Sequence, residues 1–151
     1  MEPTALLFSG QGAQRVGMGT DLAEASPAAR EILELNNEIL PADFLAVLKN
    51  GPEASLTRTS YCQPALYLHG LALWQILHER RPDFNPSATA GLSLGEFTAH
   101  AAAGTFSASE GLRLVARRGT LMEEACAQNQ GAMLALGKAA FAARGASGVG
   151  G

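Results

Sequence analysis

The sequence predicts an α/β fold built on a parallel sheet, and three observations carry that expectation. Residues 4–8 (Thr-Ala-Leu-Leu-Phe) form a short apolar run that ends in a glycine-rich loop, as a buried strand would. Residues 64–79 are apolar nearly all round, the pattern of a helix enclosed on most sides. Gly91-Leu92-Ser93-Leu94-Gly95 has the Gly-x-Ser-x-Gly form of a nucleophile elbow, in which a strand turns sharply into a helix. Side chains at either glycine would clash there, while Ser93 is thrust into a strained, exposed position.

The remaining elements follow in chain order. After the loop Ser9-Gly10-Gln11-Gly12-Ala13-Gln14, a helix starts at Ser26-Pro27 with serine as its cap and proline at its first position. Its apolar stripe runs through Ala28, Ile32, Leu35 and Ile39. Residues 44–48 read as a short helix closed by Asn50-Gly51-Pro52, and 81–87, with two prolines, as a connector. Residues 88–92 are the strand before the elbow and 96–103 the helix after it, stopped by Gly104. Ser107-Ala-Ser-Glu110 is a capping box that opens a helix to about residue 127. Residues 131–136 are a further strand candidate. Residues 137–151, almost entirely Gly and Ala, are expected to be a loose tail, which sets a domain at 1–136.

The helix after the capping box is asymmetric. At 100° per residue, Leu114, Val115, Leu121, Met122 and Ala125 surround Arg118, whereas Arg117 falls on the polar side with Glu110, Arg113 and Glu124. An unpaired guanidinium in an apolar stripe is costly, so Arg118 is expected to meet a carboxylate, from the protein or from a ligand.

Composition narrows the partners. A formal net charge of -3 with 11 Lys plus Arg disfavours nucleic acid and anionic membrane surfaces, and the ligand is expected to be small. The chain has no run of about 18 apolar residues and no basic leader, so it reads as one cytoplasmic piece. Cys62 and Cys126 have no metal-ligand spacing and read as reduced core residues. The loop at Gly10 and Gly12 lacks Gly-Lys-Ser/Thr and GxGxxG, which argues against a nucleotide site. Glu96 is simplest as a helix-dipole residue, with an acid or base as the alternative, and Gln63 as a helix cap, with a place beside a substrate pocket as the alternative.

Several ordered motifs resemble the malonyl-CoA:acyl carrier protein transacylases of fatty acid synthesis and the related acyltransferase domains of polyketide synthases. Phe8-Ser-Gly-Gln-Gly-Ala-Gln14 is similar to FxGQGxQ and is followed by Val16-Gly-Met-Gly19. Tyr61-Cys-Gln-Pro-Ala-Leu66 resembles TQPAL, Gly91 to Glu96 GHSLGE, and Arg117-Arg-Gly119 MRG, with Gly131-Ala-Met133 completing the series. The resemblance implies a three-layer hydrolase-like core, incomplete here. It implies ping-pong transfer of malonyl from malonyl-CoA to the phosphopantetheine thiol of an acyl carrier protein, with no further cofactor and no metal. Ser93 would be the nucleophile, the N–H groups of Gln11 and Leu94 the oxyanion hole, and Arg118 the clamp on the malonyl carboxylate.

Two departures matter. Leu92 stands where the family usually has His, and the general-base His lies downstream in a part of the domain this chain lacks, together with most of a ferredoxin-like subdomain. His100 is roughly 10 Å along the helix axis from Ser93, and neither His69 nor His78 makes a better base. A truncated or split transacylase is therefore expected. Its alternatives are an inert fragment that binds a carrier protein or a complementary half, and a serine esterase. The esterase is disfavoured by the missing acid and His in the usual chain order.

Overall fold

A computed structural model of the chain describes residues 3–35 and 39–128. The elements are β1 (Ala5–Phe8), α1 (Thr20–Ala25), α2 (Pro27–Glu34), α3 (Phe44–Asn50), α4 (Glu53–Thr57), α5 (Thr59–Arg80), β2 (Ala88–Gly91), α6 (Leu94–Ala102) and α7 (Ala108–Gln128). The strand candidate at 131–136 and the tail at 137–151 lie outside the described residues. No helix among those described is long and apolar enough to cross a membrane.

The strands are parallel neighbours in register Ala5↔Ala88, Leu6↔Thr89, Leu7↔Ala90 and Phe8↔Gly91. Alternation divides the sheet: Leu6, Phe8 and Thr89 are half-buried toward the helices, while Leu7 is 81% exposed. On the covered face Gly70 of α5 lies against the Phe8 ring and Thr98 of α6, and the Thr89 hydroxyl donates to the Ala99 carbonyl at 3.1 Å. The described residues thus supply the sheet and one helical layer of the three expected. The other face of the sheet is open among them.

α5 is the spine of the core. Residues 61–68 are buried without interruption, among them Tyr67 and Leu68, and they share one core cluster with Phe44, Leu56 and, on α7, Leu112 and Val115. The helix starts at Thr59, five residues before the Pro64 at which the apolar run begins. Pro64 has no N–H for the Ser60 carbonyl, a loss that burial of so much apolar surface outweighs. α7 then approaches closely at Gly119, where an added Cβ would stand 2.9 Å from the Thr59 carbonyl oxygen.

The termination signals act as expected. Ser26 Oγ accepts the Ala29 N–H at 3.1 Å and donates to Glu79 at 2.8 Å, so one hydroxyl caps α2 and ties it to the end of α5. Gly51 ends α3 with φ 79°. In the capping box, Glu110 N–H donates to Ser107 Oγ at 3.2 Å and Ser107 N–H to Glu110 at 2.9 Å. The Ser107 bonds hold the Glu110 carboxyl below its ordinary range. α1 and α4 carry no periodic stripe in the sequence: each is under two turns, with no buried residue in α1 and only Leu56 in α4.

The cysteine reading is half corrected. Cys62 is buried, and burial pushes its thiol up to about 11, whereas Cys126 is exposed near the end of α7 rather than in the core.

The α5–α7 seam gives a direct test. An Ala side chain at Gly111 would collide with the Tyr67 hydroxyl, which is held in place by donating to the Ala108 carbonyl at 2.9 Å. Helix propensity favours Ala by about 1 kcal/mol, but overpacking costs ~1–3 kcal/mol at a contact that has no slack. Gly111→Ala is expected to lower the urea unfolding midpoint; a raised midpoint would show that the seam can open.

Candidate active site

The elbow is built by backbone contacts that only glycine permits. The Leu92 N–H continues the ladder by donating to the Phe8 carbonyl at 3.2 Å, and the chain then reverses at Ser93, with φ 54° and ψ -102°. A Cβ on Gly91 would run into the backbone of Gly95, and one on Gly95 into the Phe8 carbonyl. Ser93 is consequently exposed at the head of α6, in a conformation that L side chains rarely adopt.

The glycine-rich loop is drawn to the same place. A Cβ on Gly10 would stand 2.6 Å from the Leu92 carbonyl oxygen, so the loop backbone packs directly on the elbow. Gly12, at φ 110°, donates its N–H to Gln14 Oε1 at 2.8 Å and turns the loop back on itself. Among the described residues no acceptor takes the N–H of Gln11 or of Leu94. Leu94 is the first residue of α6, where unpaired N–H groups and the helix dipole favour negative charge.

Arg118 reaches this point from α7. Its Nη2 donates to Ser93 Oγ at 2.8 Å, its Nη1 donates to Gln63 Oε1 at 2.6 Å, and the guanidinium carbon lies 5.7 Å from the centre of the Phe97 ring. Among the described residues no carboxylate meets Arg118: the ion pairs there are Arg58–Glu123 and Arg81–Asp83. Nor is Arg118 at the centre of a buried stripe. Val115 is buried, but Leu114 and Leu121 are 50% and 46% exposed, so the arginine sits where the buried face gives way to an open one.

Gln63 is a correction. It is no helix cap but an interior residue of α5, 1% exposed, whose Nε2 donates to Met122 Sδ at 3.3 Å while its Oε1 holds Arg118. The signal was a lone amide within the unbroken apolar run 61–68, since such a group needs partners inside. Phe97 beneath the guanidinium carried no comparable signal.

The histidines stand apart. His100 Nδ1 is 3.3 Å from Thr105 Oγ1 at the far end of α6, His78 is exposed beside Trp74, and His69 is half-buried, its basicity lowered by burial. None of the chain's 3 histidines touches Ser93, and Glu96 is exposed on the first turn of α6.

Residues 5–149 match the acyl transferase domain family. The chain belongs to that family. It is 44% identical over 134 residues to a probable mitochondrial malonyl-CoA-acyl carrier protein transacylase of Drosophila melanogaster, covering 87% of this chain and 35% of that protein. It is 36% identical over 136 residues to the malonyl CoA-acyl carrier protein transacylase of Haemophilus influenzae, covering 90% and 44%. A malonyl-transacylase solved in complex with a type II polyketide synthase acyl-carrier protein superposes with TM-score 0.75 at 39% identity, over 82% of this chain and 40% of that one. The chain therefore spans less than half the length of these acyl transferase relatives.

Strain at the elbow is measurable. A residue held in such a conformation costs ~1–3 kcal/mol, of which glycine would recover part after its own entropic cost. Ser93→Gly is expected to raise stability by about 1 kcal/mol in thermal unfolding, while Ser93→Ala, which keeps the Cβ, gains nothing. Equal melting temperatures for the two variants would sink the assignment of strain.

Proposed function

We infer that this chain carries the acyl site for transfer of malonyl from malonyl-CoA to the phosphopantetheine thiol of an acyl carrier protein, in fatty acid or polyketide synthesis. The observation that supports this best is the Arg118 guanidinium 2.8 Å from Ser93 Oγ, held among the described residues by neutral partners. A malonyl thioester carries its carboxylate one methylene from the reacting carbonyl. A cation next to the nucleophile is where that carboxylate would fall, and acetyl has nothing to offer it.

Ser93 Oγ adds to the thioester carbonyl, giving up its proton to a base, and the Gln11 and Leu94 N–H groups receive the developing oxyanion. Collapse breaks the C–S bond, and CoA leaves as the thiol with that proton. The carrier thiol then adds to the ester carbonyl, the C–O bond breaks, and Ser93 recovers its proton. Both thiols belong to substrates, so the scheme uses no cofactor. Two free cysteines fit a reducing compartment such as the cytoplasm.

The base is the missing part, since no histidine of this chain reaches Ser93. A second reading, a fragment that acts only with a complementary half, is favoured by the open sheet face at Leu7 and the open flank at Leu114 and Leu121.

Incubation with malonyl-CoA followed by intact-mass measurement tests both. A malonyl adduct that Ser93→Ala abolishes is the expected result, slow for the chain alone and faster by several orders of magnitude with a downstream half that brings a histidine. Arg118→Ala is expected to cut the malonyl-over-acetyl preference about tenfold or more. No adduct under either condition overturns the acyl-site reading.

A further inference from the structure

We propose that Gln63 is the positioning residue that aims Arg118 at the acyl carboxylate and, by being an amide rather than an acid, leaves its charge free for that carboxylate. This inference rests on the acyl-site reading above.

Gln63 is almost fully buried in α5, and both ends of its amide are engaged by α7. Arg118 and Met122 are one helical turn apart there, so a single side chain spans the two. The partners dictate which way the amide points. A guanidinium has only donors and a thioether only acceptor capacity, so Oε1 must face Arg118 and Nε2 must face Met122. The 2.6 Å contact from Nη1 to Oε1 then fixes the guanidinium, with Nη2 carried to Ser93 Oγ and the plane resting on Phe97.

The chemistry of the partner matters as much as its place. An amide oxygen, a hydroxyl and an aromatic face all orient a cation without neutralising it. A buried carboxylate at the same position would form an internal ion pair with Arg118, as Glu123 does with Arg58 nearby, and the clamp would be spent before substrate arrived. Position 63 thereby sets selectivity for a carboxylated acyl group without touching substrate.

The test uses the full chain and equilibrium titration calorimetry with malonyl-CoA and acetyl-CoA. Gln63→Glu is expected to weaken malonyl-CoA about tenfold or more and to leave acetyl-CoA within about twofold. Gln63→Met, which removes the acceptor but keeps the charge on Arg118, is expected to lose about threefold for malonyl-CoA. In an Arg118→Ala background neither substitution should alter the malonyl-to-acetyl ratio, a coupling that a purely structural role would not produce. Circular dichroism and unfolding midpoints establish that each variant is folded. A folded Gln63→Glu chain whose malonyl-over-acetyl preference equals that of the wild type, or an effect that persists without Arg118, overturns the proposal and leaves the acyl-site reading standing. Should Gln63→Glu fail to fold, an undiminished malonyl-CoA affinity in Gln63→Met overturns it. A wild-type chain that does not discriminate between the two thioesters removes the acyl-site reading and this proposal together.

Discussion

The backbone contacts between the end of β1 and the elbow fix where everything else in the site can lie. The Phe8 carbonyl faces Gly95 and receives the Leu92 N–H, while the Leu92 carbonyl faces Gly10. No side chain intervenes at any of these crossings, so strand, loop and helix N-terminus are set by covalent geometry more than by packing that could relax. Three consequences follow from the one constraint. β1 and β2 are adjacent and parallel, Ser93 is forced to positive φ, and the loop carrying Gln11 packs on the elbow at Leu92 and Gly95.

A second rigid unit meets the first at Arg118. α7 is laid on α5 through Gly111 and Gly119, whose missing side chains admit the Tyr67 hydroxyl and the Thr59–Ser60 backbone. Gln63 joins the two helices at the level of the site. The elbow therefore presents Ser93 from β2 and α6, while the α5–α7 pair presents the guanidinium, and Phe97 of α6 bridges them. A site assembled from two separately stiff units holds its geometry without a ligand, which is the condition for binding without reorganisation.

Much of this was legible because glycine, proline and capping residues act locally. The elbow, the Ser26 cap, the Gly51 stop and the Ser107–Glu110 box are each fixed by a few consecutive residues, and each stands where the sequence put it. Legibility fell where the deciding partner is far along the chain. Gln63 and Arg118 are 55 residues apart, and a helical wheel drawn from Pro64 leaves Gln63 outside the helix. Leu114, Leu121 and Cys126 look like core residues in the sequence because apolarity reports a preference for burial, not the presence of something to be buried against. On α7 Val115 is buried and Met122 meets Gln63, whereas Leu114 and Leu121 on the same stripe stay largely exposed.

That open flank bears on how strong the clamp can be. Ser93 is exposed, Leu92 beside it is 73% exposed, and Arg118 is only half-buried, so water reaches the place where charge would develop. Between exposed groups a bare ion pair contributes no more than about 1 kcal/mol and a hydrogen-bonded charged pair about 1.5–3 kcal/mol, and either is stronger when shielded from water. Covering the leucines around Arg118 would therefore act twice, by removing apolar surface from solvent and by lowering the local dielectric around the guanidinium and the elbow N–H groups. On the proposed acyl-site reading the direction of both effects is the same: whatever closes this face would strengthen carboxylate selection and oxyanion stabilisation together, because both would depend on charge at one water-exposed rim.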